Sequence, residues 1–445
     1  MSSRRHGQPV LFRKIAVPAA LLQTEEIDLD GSPVLFKYGG DIRIGDLTNN
    51  GCVDFVVYRC VAGAKPCFIG AFDIHGEVLW KFGEGGVQPI RPGPVTIHDI
   101  DNDGVSEVIC CFLDDSMPAT ESCKNIRILI LDGRTGRIKR EGAPIALTSS
   151  DQVFLGLVRL QVGNFRGLET ARDFLINVGS LYLALDENLQ VLWSYQFNPA
   201  WTQYGRRPAY FPALGDIDGD GRDEVNGGYF LLDHDGAPLW EKQLAPHMDS
   251  VAIGEFEPEI MRAFCSGHGH VVDSEGNIIV RLGERAVPHG QEIRVGRLLP
   301  EVPGQQMVIR CCGHHPDVVV ADHTGTIRNT FQLNKTNNNT GLEIIYWDGP
   351  SQPGLLCNGN MLWHASGEVA WQLDGLEQIA GNTKRLRMSW YHCIPADVCG
   401  DEREEAILYN PWGATVHVFT PWPLNEAVYR GYHPTPRQQN VRLMN

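Results

Sequence analysis

The chain has 445 residues with 38 Lys and Arg against 54 Asp and Glu. Its net charge of −16 excludes a general nucleic-acid binder, whose footprint is basic. A hydrophobic fraction of 43%, with 48 Gly and 27 Pro, fits a turn-rich all-β globular chain, and no apolar run is long enough to cross a bilayer. Twelve Cys include the adjacent pairs Cys110-Cys111 and Cys311-Cys312 without a framework of spacings, so reduced thiols and a cytoplasmic location are expected.

Taken in order, the chain opens with the basic Met1-Ser-Ser-Arg-Arg-His and the stretch 15–22, which Pro18 interrupts. That pattern is too weak to read as a secretory signal, and residues 1–27 are read as an extension. A repeat then starts. Apolar strands run into acidic turns at Asp46, Asp99, Asn164, Asp216, Glu255, Arg297, Trp347 and Asp397. By subtraction these positions lie 53, 65, 52, 39, 42, 50 and 50 residues apart. The Trp347 register is the weakest, having lost both the Gly and the acid.

A second signature follows in phase: Asp, a few residues, Gly, then a strand that often carries Trp. It stands as Asp73-Ile-His-Gly76-Glu-Val-Leu-Trp80, and as Asp233-His-Asp-Gly236-Ala-Pro-Leu-Trp240. Each copy is a hairpin signal. Every unit thus reads strand A, acidic turn, strand B, loop, strand C, tight turn, strand D. Four-stranded units at this period describe a single β-propeller domain over 1–445, with eight blades, or seven if the Trp347 unit is discounted. The last unit lacks a fourth strand and runs into a tail, 422–445. The N-terminal segment is expected to supply the missing strand through Asp28-Leu-Asp-Gly-Ser-Pro-Val-Leu-Phe36.

Two of the acidic turns are dense in carboxylates: Asp216, Asp218, Asp220 and Glu224, and Asp99, Asp101, Asp103 and Glu107. Acids at relative positions 1, 3, 5 and 9, with Gly at 6, resemble the first part of a calcium loop. The competing reading is a solvated turn held by Asx hydrogen bonds. Cys265, His268, His270, Cys312 and His314, where Cys and His share corresponding loops of neighbouring units, could hold zinc, though the spacing matches no standard zinc module and buried Cys beside loop His is the commoner arrangement.

Propeller geometry sorts the remaining unusual residues. D–A connections and B–C loops emerge on the face opposite the acidic turns. They gather Tyr204, Arg206, Arg207, Tyr210, His247, His289, Lys335, Asn338, Trp390, Tyr391 and His392, with His314, His315 and Trp412. There is no paired carboxylate on that face, no Gly-x-Ser-x-Gly elbow, no P-loop and no dinucleotide fingerprint. His and Tyr can carry protons, Arg forks match carboxylates, and aromatic rings pack on sugars.

That set suits β-elimination from a uronic acid. The reaction needs a neutraliser for the carboxylate, a base for the C5 proton and an acid for the leaving oxygen at C4.

The Asp-x-Asp-x-Asp-Gly turns and the Asp-x-x-Gly-x-x-x-Trp hairpins resemble those of propeller polysaccharide lyases: rhamnogalacturonan, ulvan and rhamnose–glucuronate lyases. The stretches Trp390–Glu405 and Tyr429–Met444 look like those of bacterial rhamnogalacturonan-lyase-like proteins. The resemblance implies a lyase acting on an acidic oligosaccharide of rhamnose–uronate type, with calcium or zinc in a structural role.

Position within the repeat, not an aligned motif, assigns the roles. Arg207 or Arg206 is the neutraliser, His289 or His247 the base, and Tyr210 or Tyr391 the acid, with His392 also in the catalytic set. Tyr204, Arg206, His314, His315, Trp390, Trp412, Lys335 and Asn338 are expected to contact substrate. The alternatives are a propeller that only binds, since such turns also occur in integrin-type repeats, and a glycoside hydrolase. Neither nucleic acid nor membrane is expected as a partner, and the chain is expected to be a monomer or homo-oligomer.

Overall fold

The computed structural model describes residues 5–22, 41–58, 67–86, 94–113, 125–146, 158–311, 316–334, 336, 341–376, 391–410, 413–424, 431–432 and 434. Eight antiparallel sheets form blades I (41–86), II (95–146), III (159–196), IV (213–241), V (251–281), VI (290–332), VII (343–372) and VIII (392–421). Strand order in blades I to VII follows the chain from the inner strand A to the outer strand D, and blade VIII takes its outer strand from the N-terminus. Blade II alone carries two short outer pieces, Ile138–Glu141 and Ile145–Ala146, on one partner strand.

The count of eight stands and the seven-blade alternative falls. The Trp347 unit is a full blade whose inner strand, Glu343–Ile345, precedes the turn. Trp347 abandons the acidic pattern because it is fully buried, its Nε1 donating to Gly7 O at 2.5 Å.

The N-terminus closes blade VIII, but through a different segment from the one expected. Pro9–Ala16 pairs antiparallel with Thr415–Pro421, so 1–27 is not a mere extension. Phe12 and Ile15 bury into the cluster that joins blades VIII and I. Asp28–Phe36 lies outside the described residues.

Inner strands touch from blade I through VIII, and polar side chains fasten them. Arg43 donates to Val95 O (3.1 Å), Gln161 to Pro212 O (3.0 Å) and Asn226 to Ala252 O (3.0 Å), each crossing to the next blade.

The outer strands latch as well. Trp80 donates through Nε1 to Gly133 O of blade II, Trp193 to His234 O of blade IV, and Trp240 to Asp273 O of blade V. Each ring covers the Gly of the next blade's C–D turn, and a Cβ on Gly136 or Gly236 would stand 2.6 or 2.8 Å from it. The Asp-to-Trp signature is therefore two halves of a joint between neighbouring blades.

The first residue of strand B has a recurrent task in five blades. Its side chain accepts the backbone N–H two residues after strand A ends: Asp54 from Leu47, Glu107 from Ile100, Glu224 from Ile217, Gln306 from Leu298 and Glu405 from Val398, all within 2.8–3.0 Å. A buried N–H must be paired, so this cap recurs whether or not an ion is bound. The eight cysteines whose side chains are described are all free thiols.

Candidate active site

Three successive D–A connections bring Arg207, His247 and His289 together. Arg207 lies six residues before the inner strand Ala213–Gly215, and His247 four before Val251–Glu257. His289 immediately precedes Gly290–Gly296. The backbone locks the first two: Arg207 N–H donates to Pro246 O (3.3 Å), and Arg207 and His247 form an isolated parallel bridge. Tyr229 supports that connection from below, its hydroxyl donating to the carbonyls of Ala245 and Pro246 at 2.5 and 2.8 Å.

The side chains meet above this frame. The imidazoles of His247 and His289 lie 5.0 Å apart, and Nε2 of His289 is 2.7 Å from Oδ2 of the buried Asp249. The Arg207 guanidinium stacks 3.9 Å from the Tyr210 ring centroid. A small, open recess lies beside it, lined by Asn177, Phe197, Arg207 and Tyr210.

The two histidines are pushed in opposite directions. Burial lowers the pKa of His247, a loss that neighbouring Asp249 offsets and that His289 and Arg207 deepen. The hydrogen bond that His289 donates to Asp249 raises its own pKa, against its burial. Two like groups driven apart by their surroundings are the usual physical signature of an acid–base pair. Ligand atoms of His247, Asp249 and His289 also lie within 4.8 Å of one another, a spacing that can hold a cation.

Arg207, Tyr210, His247 and His289 thus converge as their positions in the repeat implied. Asp249 was missed, because a search for paired carboxylates passes over a single one. The available signal was an acid two residues after a mouth histidine. Arg206 instead faces Gln243 (3.4 Å) on the surface. Tyr204 lies in the 3-10 turn Pro199–Gly205, and its side chain is outside what is described.

Tyr391 and His392 belong to blade VIII. They are buried there, with Tyr391 against His417 and His392 against Tyr409. Apolar packing at the start of an inner strand, rather than the mouth cluster, is where those side chains go. Cys312, His314, His315, Lys335, Asn338, Trp390 and Trp412 lie outside the described residues.

Of the expected zinc set, the Cys265 thiol faces Asn226 Oδ1 and Gly228 O at 3.9 and 3.8 Å, and burial pushes its pKa up to about 12. Burial lowers His270 to about 4, and its ring is 6.4 Å from that of His268. Among the described residues these three do not form a close ligand group. The acidic turns do: Asp216, Asp218 and Glu224 form one such group, Asp220, Glu224 and His234 another, and Asp99, Asp101 and Glu107 a third.

Comparison with known proteins adds the family. Residues 177–427, more than half of the chain, match the model for the C-terminal domain of rhamnogalacturonan lyase family 11. The rhamnogalacturonan exolyase YesX of Bacillus subtilis is 24% identical over 272 residues, 52% of this chain and 44% of that protein. The endolyase YesW of the same organism is 22% identical over 261 residues, 49% and 42% of the two. The chain therefore spans less than half the length of these curated relatives. The crystal structure of YesW superposes with a TM-score of 0.68 at 17% identity, covering 92% of this chain and 75% of that one. The Bacillus licheniformis rhamnogalacturonan lyase gives 0.67 over the same shares. At these identities the superpositions carry the propeller fold.

Proposed function

We propose that this chain, which belongs to rhamnogalacturonan lyase family 11, cleaves a rhamnogalacturonan-type glycan by β-elimination at the blade IV–VI mouth. The observation that carries the reading is the meeting of one Arg with two His of opposite pKa displacement.

Arg207 pairs with the uronate carboxylate and withdraws charge from it, which acidifies the proton at C5. His247, held neutral by burial, takes that proton. The C4–O4 bond breaks as the C4–C5 double bond forms. His289 is held toward its charged form with its Nε2 engaged by Asp249, which leaves Nδ1 to supply the proton to the departing O4 oxygen. Tyr210 orients Arg207 by stacking.

The test is ultraviolet absorbance of the unsaturated uronate during incubation with rhamnogalacturonan oligosaccharides. A rise that His247→Ala and Arg207→Ala each abolish is the expected result. Release of reducing ends without absorbance would assign hydrolysis instead, and binding without either product would leave a recognition propeller.

The spacing of His247, Asp249 and His289 favours a second reading, in which they hold a divalent cation that binds the carboxylate beside Arg207. Metal analysis of the chain and of Asp249→Asn separates the two. A bound ion lost in the variant, with activity restored to chelated protein by added metal, supports the second.

A further inference from the structure

Residues 282–289 connect blade V to blade VI and end on His289 of the mouth. A tight turn shapes this connection. The Gly283 carbonyl accepts from Ala286 N–H (3.1 Å) and Val287 N–H (2.9 Å), and Gly283 N–H donates to His268 O (3.0 Å). Val287 is fully buried in the cluster that joins the two blades. That anchor leaves its neighbours outside the core, Ala286 half-buried and Pro288 exposed.

Opposite them stands the outer half of blade VI. Asp317 pairs with Gln332, and Val319 with Thr330, across strands C and D. Directly opposed residues share a sheet face, as do residues two apart on one strand. Val319 packs with Val271 and Val280 of blade V, so this face looks toward the connection. Val318 and Phe331, on the other face, pack toward blade VII. Between the two walls lies a groove of about 390 Å³, lined by Ala286, Pro288, Asp317, Val319, Thr330 and Gln332. Ligand pockets run from roughly 300 to 1,000 Å³, so the groove is of a size to take one small ligand. It opens at the end of blade VI from which the D–A connections leave, and Pro288 ties it to His289.

Its lining is divided. Ala286, Pro288 and Val319 form an apolar side. Asp317, Thr330 and Gln332 form a polar rim, in which Gln332 Nε2 donates to Asp317 Oδ1 at 2.7 Å and holds the carboxylate in place. Among the described residues that line the groove, none is cationic. A uronate is repelled here, whereas Arg207 attracts one at the mouth. A neutral sugar with one apolar edge meets both sides.

We propose that this groove is a second sugar subsite, and that it takes the neutral 6-deoxyhexose, rhamnose, of the glycan whose uronate lies at the mouth. The choice of rhamnose rests on the lyase reading, while the preference for a neutral sugar rests on the groove alone. The C6 methyl group packs on Ala286 and Val319, and ring hydroxyls donate to the Asp317 carboxylate.

The experiment is saturation-transfer NMR on the full chain, with methyl α-rhamnoside or methyl α-galacturonide as the probe. Transfer to the rhamnoside is expected, strongest at its C6 methyl. Thr330→Trp puts an indole into the groove from an exposed strand position and should abolish that transfer, while Thr330→Ala keeps the groove open and should retain most of it. Asp317→Asn should weaken rhamnoside binding about tenfold, the size of one hydrogen bond to a charged group. The galacturonide should behave in reverse, lost in Arg207→Ala and kept in Thr330→Trp. No transfer to the rhamnoside overturns the inference. So does rhamnoside transfer that survives Thr330→Trp or that Arg207→Ala removes, which would put the deoxy sugar at the mouth, and so does galacturonide transfer that Thr330→Trp removes. Failure of the lyase reading shows separately, as rhamnoside binding without any unsaturated product from the oligosaccharide.

Discussion

Asp249 changes how the mouth histidines are read. Without it, His247 and His289 are two similar imidazoles 5.0 Å apart. With it, one is buried and held neutral while the other is held toward its charged form. Elimination then requires His247 above its lowered pKa and His289 below its raised one, so kcat/KM should follow a bell in pH. Asp249→Asn removes the group that raises His289, and the alkaline limb should move to lower pH while the acid limb, set by His247, moves less. His247→Ala should cost about 10²–10⁴-fold in kcat, the usual size of a general-base term. Unchanged limbs in Asp249→Asn would dismiss the pairing.

The sequence carried the positions of Arg207, Tyr210, His247 and His289 because the repeat assigns each to a D–A connection. It could not carry which of the mouth residues converge. Tyr391 occupies a comparable place in blade VIII and packs inward on His417 instead. The acidic turns carry a second role that spacing does not reveal. The acid at position 9 looks like a calcium ligand, yet its recurrent partner is a backbone N–H, so the motif persists in blade II, where Lys139 supplies the charge.

Between neighbouring blades, the Trp–Gly joint explains a departure that looked like noise. Blade II has Arg140 where blades I, III and IV have Trp80, Trp193 and Trp240. Correspondingly, the C–D turn of blade III has Leu189, at φ 64°, where the others have Gly. Leu189 packs into the cluster with Ile128 and Ile130 of blade II and fills the space that an indole would occupy. Hairpins were legible from spacing, but the joint was not, since its halves lie 33 to 53 residues apart.

The joint makes a graded prediction. Trp193→Ala removes a buried ring and its hydrogen bond, and should destabilise by about 3–5 kcal/mol. Trp193→Phe keeps most of the packing and should cost less. Gly236→Ala meets both the ring and a φ of +83°, where a side chain alone costs about 1–2 kcal/mol. Chemical denaturation of the three variants orders them. A neutral Gly236→Ala would show that the joint is slack.

For the whole ring, the architecture was the most legible property, because eight phased repeats leave few other folds. The closing strand was assigned to the right end of the chain but to the wrong stretch. Asp28–Phe36 mimics the hairpin signature. Pro9–Ala16 lacks it because it is a fourth strand with no C–D turn of its own, paired to Thr415–Pro421 across the chain ends.

That closing blade holds Glu405, fully buried with Oε2 on Val398 N–H and Oε1 on the Thr420 hydroxyl. Burial raises its pKa to about 8, and the nearby Asp401 and Asp397 push the same way. An acid raised on folding binds more protons in the native state than in the unfolded one. Its stabilising contribution is therefore complete below the unfolded value near 4.5 and is lost as pH rises through about 8. His270 works oppositely and lower down. Burial depresses it to about 4, so its effect is to raise stability between about 4 and 6.5 and to add nothing above.

The range from pH 6.5 to 9 leaves His270 out but also contains Glu224, raised to about 8 by burial, and Glu107, raised to about 7, so the share of Glu405 is the difference made by its own substitution. The melting temperature should fall across it, and Glu405→Gln should flatten the fall, because an amide keeps the cap and the contact with Thr420 while removing the titration. Equal slopes in the two proteins, measured by calorimetry at fixed ionic strength, would show that Glu405 stays ionised and that another group sets the alkaline limit of the ring.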